Sequence, residues 1–228
     1  RYIAGSNSHV LPVPFFNLIE GGELADSQLT FQEHQVVPLG AESFSGAIRK
    51  SAEVYYELED VINDEFPRGS LNVGYEGGYN PVGAEGPREA FDLLIQAIEN
   101  CGYDNEFFLA ADVAASHFYD RQSDVYHTHK GEMQRDELIS FYEELIASYP
   151  IISLEDPLDQ QDFEGWSELI DRTDIQIVGD DLFVTNPDRV RRGIKENAAN
   201  SLLVKINQVG TVTEAMEASE LAVENGYS

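Results

Sequence analysis

The chain has 228 residues, with 42 acidic against 14 basic side chains and a formal net charge of −28. Hydrophobic residues make up 42% and there are eleven tyrosines, which excludes a disordered acidic chain and leaves enough apolar material for a sizeable core. No basic stripe exists to neutralise phosphates, so nucleic acid is excluded as a partner, and no apolar run approaches the roughly 18 residues of a membrane span. The acids crowd helix faces (Glu57, Glu59, Asp60, Asp64, Glu65), and only four cations are lysines (Lys50, Lys130, Lys195, Lys205). This is the composition of a salt-adapted, halophilic surface; an acidic patch for a basic partner is the alternative. Cys101 is the single cysteine, which excludes an internal disulfide and a thiolate metal cluster. The start at Arg1, without a methionine, reads as that of a fragment.

In chain order, Val13–Leu18 and Leu29–Val37 read as strands. The turn-rich Glu20-Gly21-Gly22 stretch between them leaves no room for a helix, so a hairpin is expected. Ala41–Phe66 carries apolar residues at helical spacing and is expected in more than one piece. Pro87–Asn100 opens with proline in the first turn, where its missing N–H does no harm. Strands at Phe108–Ala114, Ile151–Leu154, Ile175–Val178 and Leu202–Ile206 then alternate with helices at Arg135–Ser148, Gln161–Thr173, Pro187–Asn197 and Thr211–Asn225, the last stopping at Asn225-Gly226. The alternation predicts an α/β fold with a parallel sheet, and no linker or internal repeat divides the single expected domain, 1–228.

Several of these apolar runs end on charge. LAADVAAS places Asp112 at a strand end, PIISLEDP places Glu155 and Asp156, and IQIVGDDL places Asp180 and Asp181. SLLVKINQVG places Lys205 at the matching point of a run that reads as a buried strand, where an ammonium needs a partner. Asp112, Glu155, Asp180 and Lys205 are 43, 25 and 25 residues apart, and the last two intervals each fit one strand-plus-helix unit. In a (β/α)8 barrel such residues gather at the C-terminal mouth. Converging carboxylates need a cation, and hard oxygen ligands at an open mouth favour Mg2+. Taken singly, each acid is an ordinary cap or loop residue, and Asp156 and Asp181 read that way. A cation beside partly buried Lys205 would lower its pKa and fit it for general-base work; a structural ion pair is the alternative.

LPVPFFNLIEGG, FQEHQVVPLGA, NVGYEGGYNP, LAADVAAS, SLEDPLDQQDFEGW, QIVGDDLFVTNP and LLVKINQVGT together resemble the enolase family over essentially the whole chain. The resemblance implies the larger part of that family's C-terminal TIM-type barrel, with an initial β-hairpin before regular βα units, incomplete at its C-terminal end. It implies a cytoplasmic hydro-lyase of glycolysis and gluconeogenesis interconverting 2-phospho-D-glycerate and phosphoenolpyruvate, and a homo-oligomer when complete. Asp112, Glu155 and Asp180 are then Mg2+ ligands, Lys205 the base at C2 and Glu76, in GYEGG, the acid at the C3 hydroxyl. Gln32 and Glu33, in FQEH, join Glu155, Asp180 and Lys205 in the substrate pocket. Lysine as base beside Mg2+ is the established chemistry of this superfamily. Proximity to Glu33 and partial burial are expected to keep Glu76 protonated.

Two positions depart from the family's usual pattern: Tyr75 replaces an aspartate in GDEGG, and Leu24 stands where many members carry histidine in the loop after Gly21-Gly22. His34 is not at that position, and His127 with His129 reads as a surface loop. The resemblance also implies an absent N-terminal capping domain and absent last strands, so the chain alone is expected to be aggregation-prone and inactive. Another enolase-superfamily enzyme acting on a different carboxylate, or a catalytically dead scaffold protein, are the competing readings.

Overall fold

The short apolar runs form a sheet whose pairing sets the place of every acid singled out above. A computed structural model describes residues 10–25, 28–66 and 71–228. β1 (Phe16–Glu20) and β2 (Glu33–Val37) pair antiparallel, as the turn-rich connection requires, with Phe16 opposite Val36 and Glu20 opposite Glu33. The predicted Leu29–Val37 strand begins only at Glu33. Leu29 and Phe31 are buried ahead of the strand, where Gly21 and Gly22 donate across the turn to Gln32 O and Leu29 O.

Helix α1 (Phe44–Glu65) is one piece rather than several. Ser43 caps it by accepting from Gly46 N at 3.1 Å, and Ala47, Val54, Leu58, Val61 and Ile62 form an unbroken buried stripe. β3 (Leu71–Val73) and β4 (Tyr79–Pro81), a short antiparallel pair absent from the sequence prediction, flank the GYEGG loop. Three residues each, and interrupted by glycine, they carry too little periodicity to be read in advance. Helix α2 (Pro87–Asn100) has the predicted bounds and packs on α1.

β5 (Phe108–Asp112) pairs antiparallel with β2. A three-stranded sheet of β6 (Tyr119–Asp120), β7 (Val125–Thr128) and β8 (Gly131–Met133) follows it. His127 therefore lies in a strand, while half-buried His129 packs against Phe141 and leaves no space for a Cβ on Gly86. The regular units come next: α3 (Arg135–Ser148), β9 (Ile151–Glu155), α4 (Phe163–Arg172), β10 (Gln176–Gly179), α5 (Pro187–Glu196) and β11 (Ser201–Leu202), each within two residues of its predicted start. The four-residue helix α6 (Ile206–Val209) and α7 (Val212–Glu224) close the order.

β5, β9, β10 and β11 are parallel neighbours, and the main sheet runs β11-β10-β9-β5-β2-β1-β4-β3. Among the described residues its two end strands, β11 and β3, do not pair with each other, so the sheet is not closed. Leu109, Leu154 and Ile177 from the strands join Phe91, Leu94, Ile139, Leu145 and Trp166 from the helices in a continuous core. Among the described residues no helix is long and apolar enough to cross a membrane.

The strand expected at Leu202–Ile206 ends at Leu202 instead. Val204 and Ile206 are 46% and 49% exposed, and Lys205 is the N-cap residue of α6. An apolar run does not distinguish a buried strand from a strand that turns out into a loop, and here the chain leaves the sheet early. Lys205 thus stands on a loop, not inside a strand.

His34, in the middle of β2, is fully buried between Phe31 and Phe91, and its Nδ1 lies 3.3 Å from Ile19 O. Burial holds its pKa down to about 4, against 6.5 in the unfolded chain, the carbonyl of Ile19 only partly opposing this. The fold therefore binds fewer protons at this site. The contribution is complete above pH 6.5 and is lost as pH falls toward 4, amounting to on the order of 3 kcal/mol. His34→Phe removes that term: in urea denaturation, the stability difference between variant and parent should move in the variant's favour by about this amount between pH 7 and pH 4.

Candidate active site

The sheet register gathers the acids. Glu20 lies opposite Glu33, Glu33 opposite Asp112 and Asp112 opposite Glu155, so one row of carboxylates crosses four strands at one rim. β10 continues the row: Glu155 lies opposite Val178, and Asp180 follows two residues later. Because β5, β9 and β10 are parallel, their carboxyl ends meet there, as the spacing predicted.

Asp112 and Asp180 are buried and Glu155 is half-buried. Asp112 accepts the Ala114 N–H on Oδ1 and the Gln32 side-chain amide on Oδ2, both at 3.0 Å. Burial, then repulsion from Asp156, Glu33 and Asp180, pushes the Asp112 carboxyl well above the usual range. Glu155 is pushed up likewise, by burial first and then by Asp112, Asp156 and Asp180. Lys205 Nζ forms an ion pair with Asp180 Oδ2, while Gln208 donates to Asp180 Oδ1 at 2.7 Å. The Lys205 side chain is 45% exposed, and its backbone N–H donates to Thr185 Oγ1 at 2.8 Å. Burial works to lower its pKa, but the Asp180 hydrogen bond and the charges of Asp180, Glu155 and Asp112 together raise it. The residues by themselves thus hold Lys205 as an ammonium ion.

On the other flank, Glu76 sits in the loop between β3 and β4, exposed, with Asn17 Nδ2 at 3.5 Å from its Oε2. Glu33 hydrogen-bonds to Glu76 and is the group with the raised pKa, about 7. Burial is the main cause; the Gln35 amide at 2.7 Å opposes it, and Glu76 and Glu20 add to it. Glu33 is the more buried member of the pair, whereas Glu76, expected to be partly buried, is exposed. Gln32 reaches the acids directly through Asp112. Tyr75 is 87% exposed, with its N–H donated to Leu24 O at 3.2 Å, so neither residue enters the row. Asp26 and Ser27 of the same loop lie outside the described residues.

Among the described residues, two groups of acids offer oxygens within 4.8 Å of one another: Asp112, Glu155 and Asp156, and Asp156, Asp180 and Asp181. Asp156 belongs to both, yet its carboxylate is engaged elsewhere. It accepts backbone N–H groups from Asp180 at 3.1 Å and Asp181 at 2.7 Å, with Leu182 at 3.4 Å. Asp156 is thus the cap of the turn that presents Asp180, as its place before Pro157 implied. Asp112 and Glu155 thus belong to one group and Asp180 to the other, where Lys205 and Gln208 already engage its two oxygens. Hard carboxylate donors crowded at this rim, with Asp112 and Glu155 pushed above their ordinary range by burial and by neighbouring acids, match a divalent cation.

With this geometry in view, the comparisons with known proteins fall into place. The profile of the enolase C-terminal TIM barrel domain matches residues 8–228. The chain belongs to the enolase family. Enolases from Methanopyrus kandleri, Methanocaldococcus jannaschii and Methanococcus aeolicus are 50%, 46% and 46% identical over the whole of this chain. The chain spans about half the length of these relatives, 54%, 53% and 53%. A barrel domain of this family explains both the antiparallel opening strands and the parallel units that follow.

The backbone at Asp156 is left-handed (φ 42°) and its carboxylate caps buried N–H groups. Asp156→Ala should cost about 2–4 kcal/mol in urea denaturation. Asp156→Asn should cost less, because asparagine tolerates that backbone region and keeps one acceptor.

Proposed function

We propose that the protein carrying this chain converts 2-phospho-D-glycerate to phosphoenolpyruvate, reversibly, with Mg2+ held by Asp112, Glu155 and Asp180. The observation that carries the reading is the convergence of these three carboxylates with Lys205 on one rim of a family barrel. Bound there, Mg2+ supplies positive charge against the substrate carboxylate and offsets the acids that hold Lys205 protonated.

The chain's own residues then divide the proton transfers. Lys205 Nζ, freed from its proton, takes the proton from C2, and the electron pair of that bond moves onto the substrate carboxylate to give an enolate. Glu76 donates a proton to the C3 hydroxyl, which leaves as water, and the double bond forms between C2 and C3. Glu33 backs Glu76: it is the buried partner whose carboxyl keeps a proton near neutral pH, so the pair can reload the donor. Gln32 orients Asp112 through its amide. Gln208 does the same for Asp180. Residence in the cytoplasm and a homo-oligomeric assembly complete this reading, as does a halophilic setting, for which the charge of −28 is the support.

Lys205→Ala in the full-length protein should lower phosphoenolpyruvate formation by about 10²–10⁴-fold, while calorimetric titration still detects Mg2+ binding. Unchanged turnover would overturn the assignment. For the salt-adapted surface, raising KCl from about 0.1 M to about 2 M should lift the thermal midpoint by roughly 5 °C or more, because screening relieves self-repulsion. A midpoint that falls with salt would remove the halophilic element alone.

A further inference from the structure

The row of carboxylates begins one strand earlier than the reaction requires. Glu20, the last residue of β1, lies opposite Glu33 and is wholly buried, yet no step above uses it. Its Oε1 accepts the Gly78 N–H at 2.6 Å and its Oε2 the Glu76 N–H at 3.3 Å. Both donors belong to the loop that carries the Glu76 side chain. A buried carboxylate is costly unless hydrogen bonds replace its water, and here backbone amides do so.

The loop is shaped around this side chain. A Cβ on Gly74 would fall 1.8 Å from Glu20 Oε2, and one on Gly78 would fall 2.9 Å from Glu20 Cγ. The three atoms nearest to the Gly74 position all belong to Glu20. Gly74 N donates to Gly78 O at 2.9 Å, closing the loop, and Tyr55 OH donates to Gly77 O at 2.8 Å from the other side. Glycine at these two places is therefore a consequence of the glutamate beneath them.

We propose that Glu20 is a positioning residue: it grips the Gly74–Gly78 backbone and so sets the Glu76 carboxyl against Glu33, without touching substrate. The inference rests on the enolase reading for its chemical meaning and on the loop geometry for the grip itself. Small misplacements of a reacting group are expensive, so loss of the grip should damage the step that needs Glu76 and spare the step that needs Lys205.

Two variants of the full-length Mg2+-loaded protein test this. Glu20→Gln keeps the shape but turns an NH2 group toward one of the two amides. Gly74→Ala leaves Glu20 intact and drives a methyl into its carboxylate. In both, amide hydrogen exchange at Glu76 and Gly78 should speed up at least about tenfold while β5 and β9 amides keep their protection. Phosphoenolpyruvate formation should fall at least about tenfold in kcat with KM changed less than about threefold. Exchange of the C2 hydrogen of 2-phospho-D-glycerate in D2O, which needs the base but not departure of the hydroxyl, should stay within about threefold of the parent. Unchanged amide exchange overturns the grip, and equal losses in both chemical readouts, or no loss of dehydration, overturn the positioning role. If the parent protein forms no phosphoenolpyruvate, the enolase reading fails by itself and amide exchange still decides whether Glu20 holds the loop.

Discussion

Like-charge crowding at the rim is the constraint on which this structure turns. Antiparallel pairing of β1, β2 and β5 and parallel pairing of β5 with β9 bring Glu20, Glu33, Asp112 and Glu155 into one row, with Asp180 beside it. Burial and neighbouring charge push the carboxyls of Asp112, Glu155 and Glu33 upward. The strain has three outlets. Lys205 neutralises Asp180, the Glu33 carboxyl is pushed up to about 7, and the remaining oxygens present a hard, acidic site.

Buried carboxylates away from the chemistry serve the backbone instead. Asp156 caps the turn of Asp180–Leu182, and Glu20 caps the loop of Glu76. Asp156 stands behind Asp180 and Glu20 behind Glu76, and each satisfies amides that would otherwise lack these acceptors. The same residue type therefore does three different jobs within one rim. Burial and the direction of nearby N–H groups, not side-chain identity, separate them.

The surface handles its acidity differently. Arginines bridge neighbouring helices: Arg88 of α2 to Glu144 of α3, Arg172 of α4 to Glu143 of α3, and Arg191 of α5 to Glu217 of α7. Single exposed pairs of this kind add little stability. Their forked geometry suits cross-helix contacts, which gives a physical reason for arginine's predominance over lysine in a chain so short of cations.

Helices with strong caps and long apolar stripes were legible in the residues alone. Pro87–Asn100 and Arg135–Ser148 have the bounds their periodicity implies, because proline at the start or a capping box with Glu137 fixes the first turn locally. The sequence by itself also determined the parallel order of the later strands, the acids at their ends and the family, since these depend on spacing and on local motifs. The tertiary structure decided the rest. Short strands β3 and β4 pair with each other and reach the sheet through β4 alone, at Tyr79 opposite Ile19 of β1, and Lys205 left its apolar run because the chain turns out of the sheet after Leu202. That Glu33 rather than Glu76 is the more buried member of the pair, and that Glu20 lies beneath Glu76, follow from cross-strand register and burial. Both join residues 43 or more apart in the chain, beyond the reach of any local pattern.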